Sequence, residues 1–126
     1  HCLNVKIDGK ERWVIPILFS RKEKYDPEKG GEFFRYLQFK LVVVERAEEG
    51  MGVEVVREGG KAKLLDTGEV TGFLEQVGEN TTYLIHPEEI LADNFVLLVT
   101  GKRDVPSPGV VEKLGKILAG EKQADG

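Results

Sequence analysis

The sequence predicts an α+β domain, with N-terminal antiparallel β hairpins forming a sheet and two or three helices after it. Three observations carry this. Apolar residues alternate with polar ones near the N-terminus, as in Leu3, Val5 and Ile7 around Asn4 and Lys6. Turn dipeptides, Asp8-Gly9 and Gly59-Gly60, sit between apolar runs. After residue 67 the apolar spacing lengthens to a helical period. Residues 1–66 thus read as β-rich, 67–120 as helical and 121–126 as a polar tail, within a single domain over 1–120.

Leu3 to Ile7 is the first strand, and Asp8-Gly9 suits the positive φ of a tight hairpin turn. Trp13 to Phe19 returns. Pro16 within it has no ladder donor, which predicts an edge or bulged strand. Ser20 to Glu32 is a charged, Gly-containing loop, long enough to be either functional or mobile. Phe33 to Glu45 is the strongest strand. Leu37, Phe39, Leu41 and Val43 line one face, while Val42 and Val44 close the other, as in a central strand. Glu48-Glu49-Gly50 turns the chain, and Val53 to Arg57 with Lys61 to Leu65 form a second hairpin.

Val70 to Val77 reads as a short helical turn ended by Gly78 and Asn80, and Thr81 to Ile85 as a brief extended segment. Pro87 opens a helix that runs to about Val99 and stops at Gly101. Ser107 caps a last helix with Pro108 at its first position. Val110, Val111, Leu114, Ile117 and Leu118 form its apolar stripe, and Gly120 ends it.

Composition bounds the function. The chain has 126 residues, 18 Lys+Arg and 22 Asp+Glu, for a formal net charge of −4. That balance argues against non-specific binding to nucleic acid or an anionic membrane. No apolar run approaches the roughly 20 residues of a membrane span. A lone Cys2 excludes an internal disulfide framework and fits a reducing, cytoplasmic compartment. Abundant Lys and Glu with few Asn and Gln leans toward a thermophile. The chain begins with His1 rather than Met, which reads as either a removed leader or a piece of a longer protein.

Several other features stay below the threshold of a site. Trp13, Tyr36 and Tyr83 are scattered and read as packing residues. Gly50-Met51-Gly52 lacks the rest of a phosphate loop, and Cys2 beside His1 is a pair by adjacency alone. Asn80-Thr81-Thr82 is a glycosylation sequon without a matching export signal.

The helix from Pro87 carries the chemistry. At about 100° per residue it is apolar nearly all round, which predicts burial. Yet His86, Glu89 and Asp93 fall within about 60° of one another. On a buried helix such carboxylates need a partner or a metal. Taken by themselves, Glu88 and Glu89 also suit the helix dipole in the first turn, and His86 suits a structural place at the helix start.

The string His86-Pro87-Glu88-Glu89-Ile90-Leu91-Ala92-Asp93-Asn94-Phe95 resembles the second motif of gluzincin zinc metallopeptidases. The resemblance covers ten residues and has two fixed positions, Glu89 and Asp93. It implies a zinc peptidase in which Glu89 is a zinc ligand and Asp93 orients a zinc-bound His from behind, with His86 a weaker candidate ligand. The chain lacks the family's H-E-x-x-H, and its two histidines, His1 and His86, lie far apart. The resemblance therefore implies a C-terminal portion whose His pair and general base come from elsewhere. An edge of the 3–65 sheet would then hold an extended peptide substrate by main-chain pairing. The alternative reading is a non-catalytic module that meets a partner protein through a sheet edge or the 20–32 loop; helix patterns with more apolar surface than one small domain can bury would support it, since they invite a subunit interface.

Overall fold

In the computed structural model the described residues are 2–20, 22–24, 26, 28, 33–48 and 52–121. Most of the expected 20–32 loop, the turn around Glu49-Gly50, Met51, His1 and the 122–126 tail lie outside them. The α+β class is observed: strands come first and helices last. The chain divides into two compact units, His1–Phe73 and Leu74–Gly126. Among the described residues no helix is long and apolar enough to cross a membrane.

The first unit is built on a five-stranded antiparallel sheet. Strands β1 (Leu3–Ile7) and β2 (Lys10–Phe19) form a hairpin, with Asp8 at φ 50° and Gly9 at φ 75° in the turn. Two successive positive φ values match the right-handed twist of the flanking strands, which explains the Asp-Gly pair. Strand β3 (Gln38–Arg46) pairs β2 from Trp13↔Val44 to Phe19↔Gln38.

The expected strand from Phe33 starts later. Phe33–Tyr36 is a 3₁₀ turn, because β2 ends opposite Gln38 and residues before it have no strand to pair. Lys22 stacks over the Tyr36 ring at 4.6 Å.

The second expected hairpin is divided. β4 (Val53–Val55) and β7 (Leu64–Leu65) both pair β3, while β5 (Arg57–Glu58) and β6 (Lys61–Ala62) pair with each other around Gly59-Gly60. Val43 joins the pieces: its N–H donates to Lys63 O and its carbonyl accepts from Val56 N–H.

That bond pattern also explains Pro16. Val43 directs its N–H and C=O toward the β4/β7 side, so Leu41 does likewise. Pro16 stands opposite Leu41 and aims its nitrogen away from β3. Among the described residues β1 reaches only as far as Leu3↔Val14, so within them Pro16 lies on an open edge and loses no ladder bond. β2 is an inner strand at its start and an edge strand from Ile15 onward.

The expectation of burial on both faces of β3 is met. Leu41 and Val43 pack on one face with Val5, Val14, Leu65 and Phe73, whose ring centroid lies 6.0 Å from that of Phe39. Val42 and Val44 are buried on the other face, in cross-strand rows with Ile15 and Leu64 and with Trp13 and Val55. Lys6 and Thr71 exchange both backbone hydrogen bonds, covering the outer edge of β1 at that point. A 3₁₀ turn, Thr67–Glu69, is closed by the Glu69 carboxylate accepting from Asp66 N–H at 2.7 Å. Lys40 on β3 pairs with Asp66 at 2.7 Å.

Helix α1 (Phe73–Val77) is shorter than the expected Val70–Val77 turn, since Thr71 is held extended by its bridge to Lys6. The second unit continues with α2 (Pro87–Val99) and α3 (Pro108–Leu118), at the bounds the capping residues predict. Among the described residues, Thr81 to Ile85 makes no strand pairing.

Leu41→Ala should lower unfolding free energy by about 2–5 kcal/mol in urea titrations, as for a fully buried core leucine. Leu18→Ala, at a position about half exposed, should cost under about 1.5 kcal/mol in the same assay.

Candidate functional site

Helix α2 is set by its ends and by one polar junction. His86 is the N-cap residue in an extended conformation, its carbonyl accepting from Ile90 N–H, and Pro87 takes the first helical position. The C-terminus closes with Gly101 N–H to Leu98 O and Lys102 N–H to Leu97 O.

The junction is built from Asn80, Asn94 and Ser107. Asn94 is 1% exposed, and its amide N–H donates to Ile90 O at 2.7 Å. The Asn80 amide donates to Asn94 Oδ1 and to Ser107 O, both at 2.8 Å. Ser107 N–H donates back to Asn80 Oδ1 at 2.8 Å, and Ser107 Oγ accepts from Glu79 N–H at 3.0 Å. Gly78 makes the close approach feasible: it has φ 77°, and a Cβ there would stand 2.8 Å from Val110 Cγ2. These bonds tie the 79–80 segment to the middle of α2 and the start of α3.

The structure corrects the expectation that α2 is buried all round. Its covered side is narrow: Ile90 and Asn94 are buried and Leu97 and Leu98 half-buried. Leu91, Phe95, Val96 and Val99 are 48–63% exposed. The polar Asn94 centres the covered side because both its amide nitrogen and its oxygen have partners there. Placed at about 100° steps, the exposed apolar residues fill the arc opposite Ile90 and Asn94.

Glu89 and Asp93 are exposed and lie one turn apart on the border between the covered side and Val96. Among the described residues neither carboxylate takes part in a side-chain hydrogen bond or ion pair. His86 is exposed, with its ring centroid 5.9 Å from that of Tyr83. The cost of burying unpaired carboxylates therefore does not arise in this chain.

Whether these residues fit a zinc ion follows from the donor set. Among the described residues no group of three His, Cys, Asp or Glu side chains is placed to hold a metal. Glu89 and Asp93 by themselves do not make a complete site.

The remaining candidates do not converge. Cys2 is exposed and free, and its neighbour His1 lies outside the described residues. In the Asn80 sequon the amide nitrogen is engaged twice in the junction. A cleft of about 570 Å³ in the first unit is lined by Ile7, Asp8, Glu58, Lys63, Leu65 and Glu69 among others, none of them predicted from sequence as a site. Lys63 and Glu58 pair across it at 2.6 Å. The open edge of β2 lacks a donor at Pro16, which disfavours strand addition there.

Sequence reasoning passed over Asn94, the best-bonded side chain of the helix. Its signal was an amide four residues after Ile90 on an otherwise apolar helix. No family model matches the chain, and no curated protein or solved structure matches it.

Asn80→Ala should destabilise the chain by about 1–3 kcal/mol, because it strands partners in a part-buried junction. A double-mutant cycle with Asn94→Ala should show coupling on the order of 0.5–3 kcal/mol. Glu89→Gln and Asp93→Asn should each change stability by less than about 1 kcal/mol in the same denaturation assay.

Proposed function

We propose that this chain supplies the carboxylate half of a zinc-dependent peptidase site, with the His pair and general base contributed by an upstream segment of the same protein. The observation that carries this reading is the placement of Glu89 and Asp93. They stand one turn apart, exposed and, among the described residues, unpaired, on a helix fixed from behind by a polar junction. Both carboxylates are thus open to a ligand from outside the chain.

In this reading Glu89 is the third protein ligand, and Asp93 accepts a hydrogen bond from the ring N–H of a metal-bound His. The ion, when bound, supplies an activated water for peptide hydrolysis. The junction keeps the Glu89–Asp93 edge of α2 in one orientation, so that little ordering is required when the other half arrives. His86 stands one turn before Glu89 but contacts Tyr83, and it has no assigned part in the ligand set.

The second reading, a non-catalytic binding module, draws on a different observation: the exposed apolar arc of Leu91, Phe95, Val96 and Val99.

The two readings separate on the protein expressed from its whole reading frame. The peptidase reading expects an H-E-x-x-H helix upstream and about one zinc per chain by metal analysis. Glu89→Ala should abolish zinc retention, and Asp93→Ala should weaken it roughly 10–100-fold. A frame without the motif, or a zinc-free whole protein, overturns the peptidase reading and leaves the binding module.

A further inference from the structure

We propose that Asn80 is a modification site gated by folding: an N-linked sugar reaches it only while the helical unit is open, and a sugar placed there keeps that unit open. Asn80-Thr81-Thr82 is an acceptor sequon for N-glycosylation. The peptidase reading uses neither the sequon nor a sugar, so this inference does not rest on it.

The transfer itself makes a definite demand on the side chain. A bond forms between Asn80 Nδ2 and the anomeric carbon of a sugar carried as a diphosphate ester. The bond from that carbon to the diphosphate oxygen breaks, and the diphosphate leaves with the electron pair. Nδ2 gives up one proton to the transferase or to water. The nitrogen must therefore offer a free N–H.

In the folded chain neither N–H is free. Nδ2 donates to Asn94 Oδ1 and to Ser107 O, both at 2.8 Å. A single C–N bond is about 1.45 Å long, so a sugar carbon in place of either hydrogen would stand roughly 1.4 Å from the acceptor oxygen. That is far inside any non-bonded contact. Turning the amide over does not help. Ser107 N–H, which now donates to Asn80 Oδ1 at 2.8 Å, would face a second donor, and Oδ1 would face two acceptors.

The surroundings cannot move aside cheaply. Asn94 is 1% exposed and anchored to Ile90 O at 2.7 Å. Behind Asn80 the chain is packed so closely that a Cβ on Gly78 would stand 2.8 Å from Val110 Cγ2 and 3.3 Å from Ser107 Cβ. The other end of the sequon is open: Thr82 is exposed. Closure is therefore a property of the Asn80 amide alone. A sugar on it strands the partners on α2 and at the start of α3 together, so the modification acts on the unit and not on one residue.

A soluble N-glycosyltransferase that moves one glucose from UDP-glucose to sequons tests this on the whole chain, with added hexose followed by mass spectrometry. A synthetic peptide of residues 76–86 should be modified readily. The folded wild type should be modified at least about 100-fold more slowly, because its amide is reached only through local opening. Gly78→Val keeps the sequon but crowds the junction, and should be modified faster than the wild type. Thr82→Ala should take no glucose and keep the wild-type urea midpoint, which ties the sugar to this sequon. Wild-type chains that carry glucose after long incubation should lose hydrogen-exchange protection along α2. An unmodified peptide, a wild type modified as fast as the peptide, or a Gly78→Val chain no faster than the wild type overturns the gating. A glucosylated chain with unchanged protection along α2 overturns the exclusion.

Discussion

The helical unit depends on one part-buried amide-to-amide junction. Asn80 donates both to Asn94 on α2 and to the Ser107 carbonyl at the start of α3, and it accepts from Ser107 N–H. Each of these groups would be costly to leave unpaired away from water, so they hold one another in a single arrangement. Hydrophobic contact by itself is non-directional and would let α2 rotate about its axis. The junction removes that freedom by fixing Asn94 inward.

Fixing Asn94 inward decides what the rest of α2 presents. With Asn94 and Ile90 covered, Glu89 and Asp93 come to the border, and Leu91, Phe95 and Val99 come outward. The carboxylate edge and the apolar arc are thus two consequences of one orientation. The two adjoin where Glu89 and Asp93 border Val96. In the first unit the corresponding constraint is β3. Val43 accepts and donates across the break between β4 and β7, and this lets a divided hairpin share one neighbouring strand.

Much of the secondary structure was legible because it is governed by local chemistry. Asp8-Gly9, Pro87, Gly101, Ser107 and Pro108 mark their element ends through backbone preferences that do not depend on the remainder of the chain. The double-sided burial of Val42 and Val44 was legible from their unbroken apolar run. The late start of β3 was not, since it is set by the pairing register that puts Gln38 opposite Phe19, the end of β2, and register is a long-range fact. The exposure of α2 was not legible either. An apolar pattern does not say which face other elements pack against.

The sequence by itself determined the class of fold, the ends of α2 and α3, and the one-turn spacing of Glu89 and Asp93. These follow from periodicity, capping and the pitch of a helix, all local properties. Only the tertiary structure decided which side of α2 is covered. That choice is made by Asn80, fourteen residues from Asn94, and by Ser107, thirteen residues beyond it. Periodicity ranks the faces of a helix by hydrophobicity and would have buried Leu91 or Phe95. The hydrogen bonds of a single amide outweighed that ranking, because an amide side chain is buried at tolerable cost only where its partners are already in place.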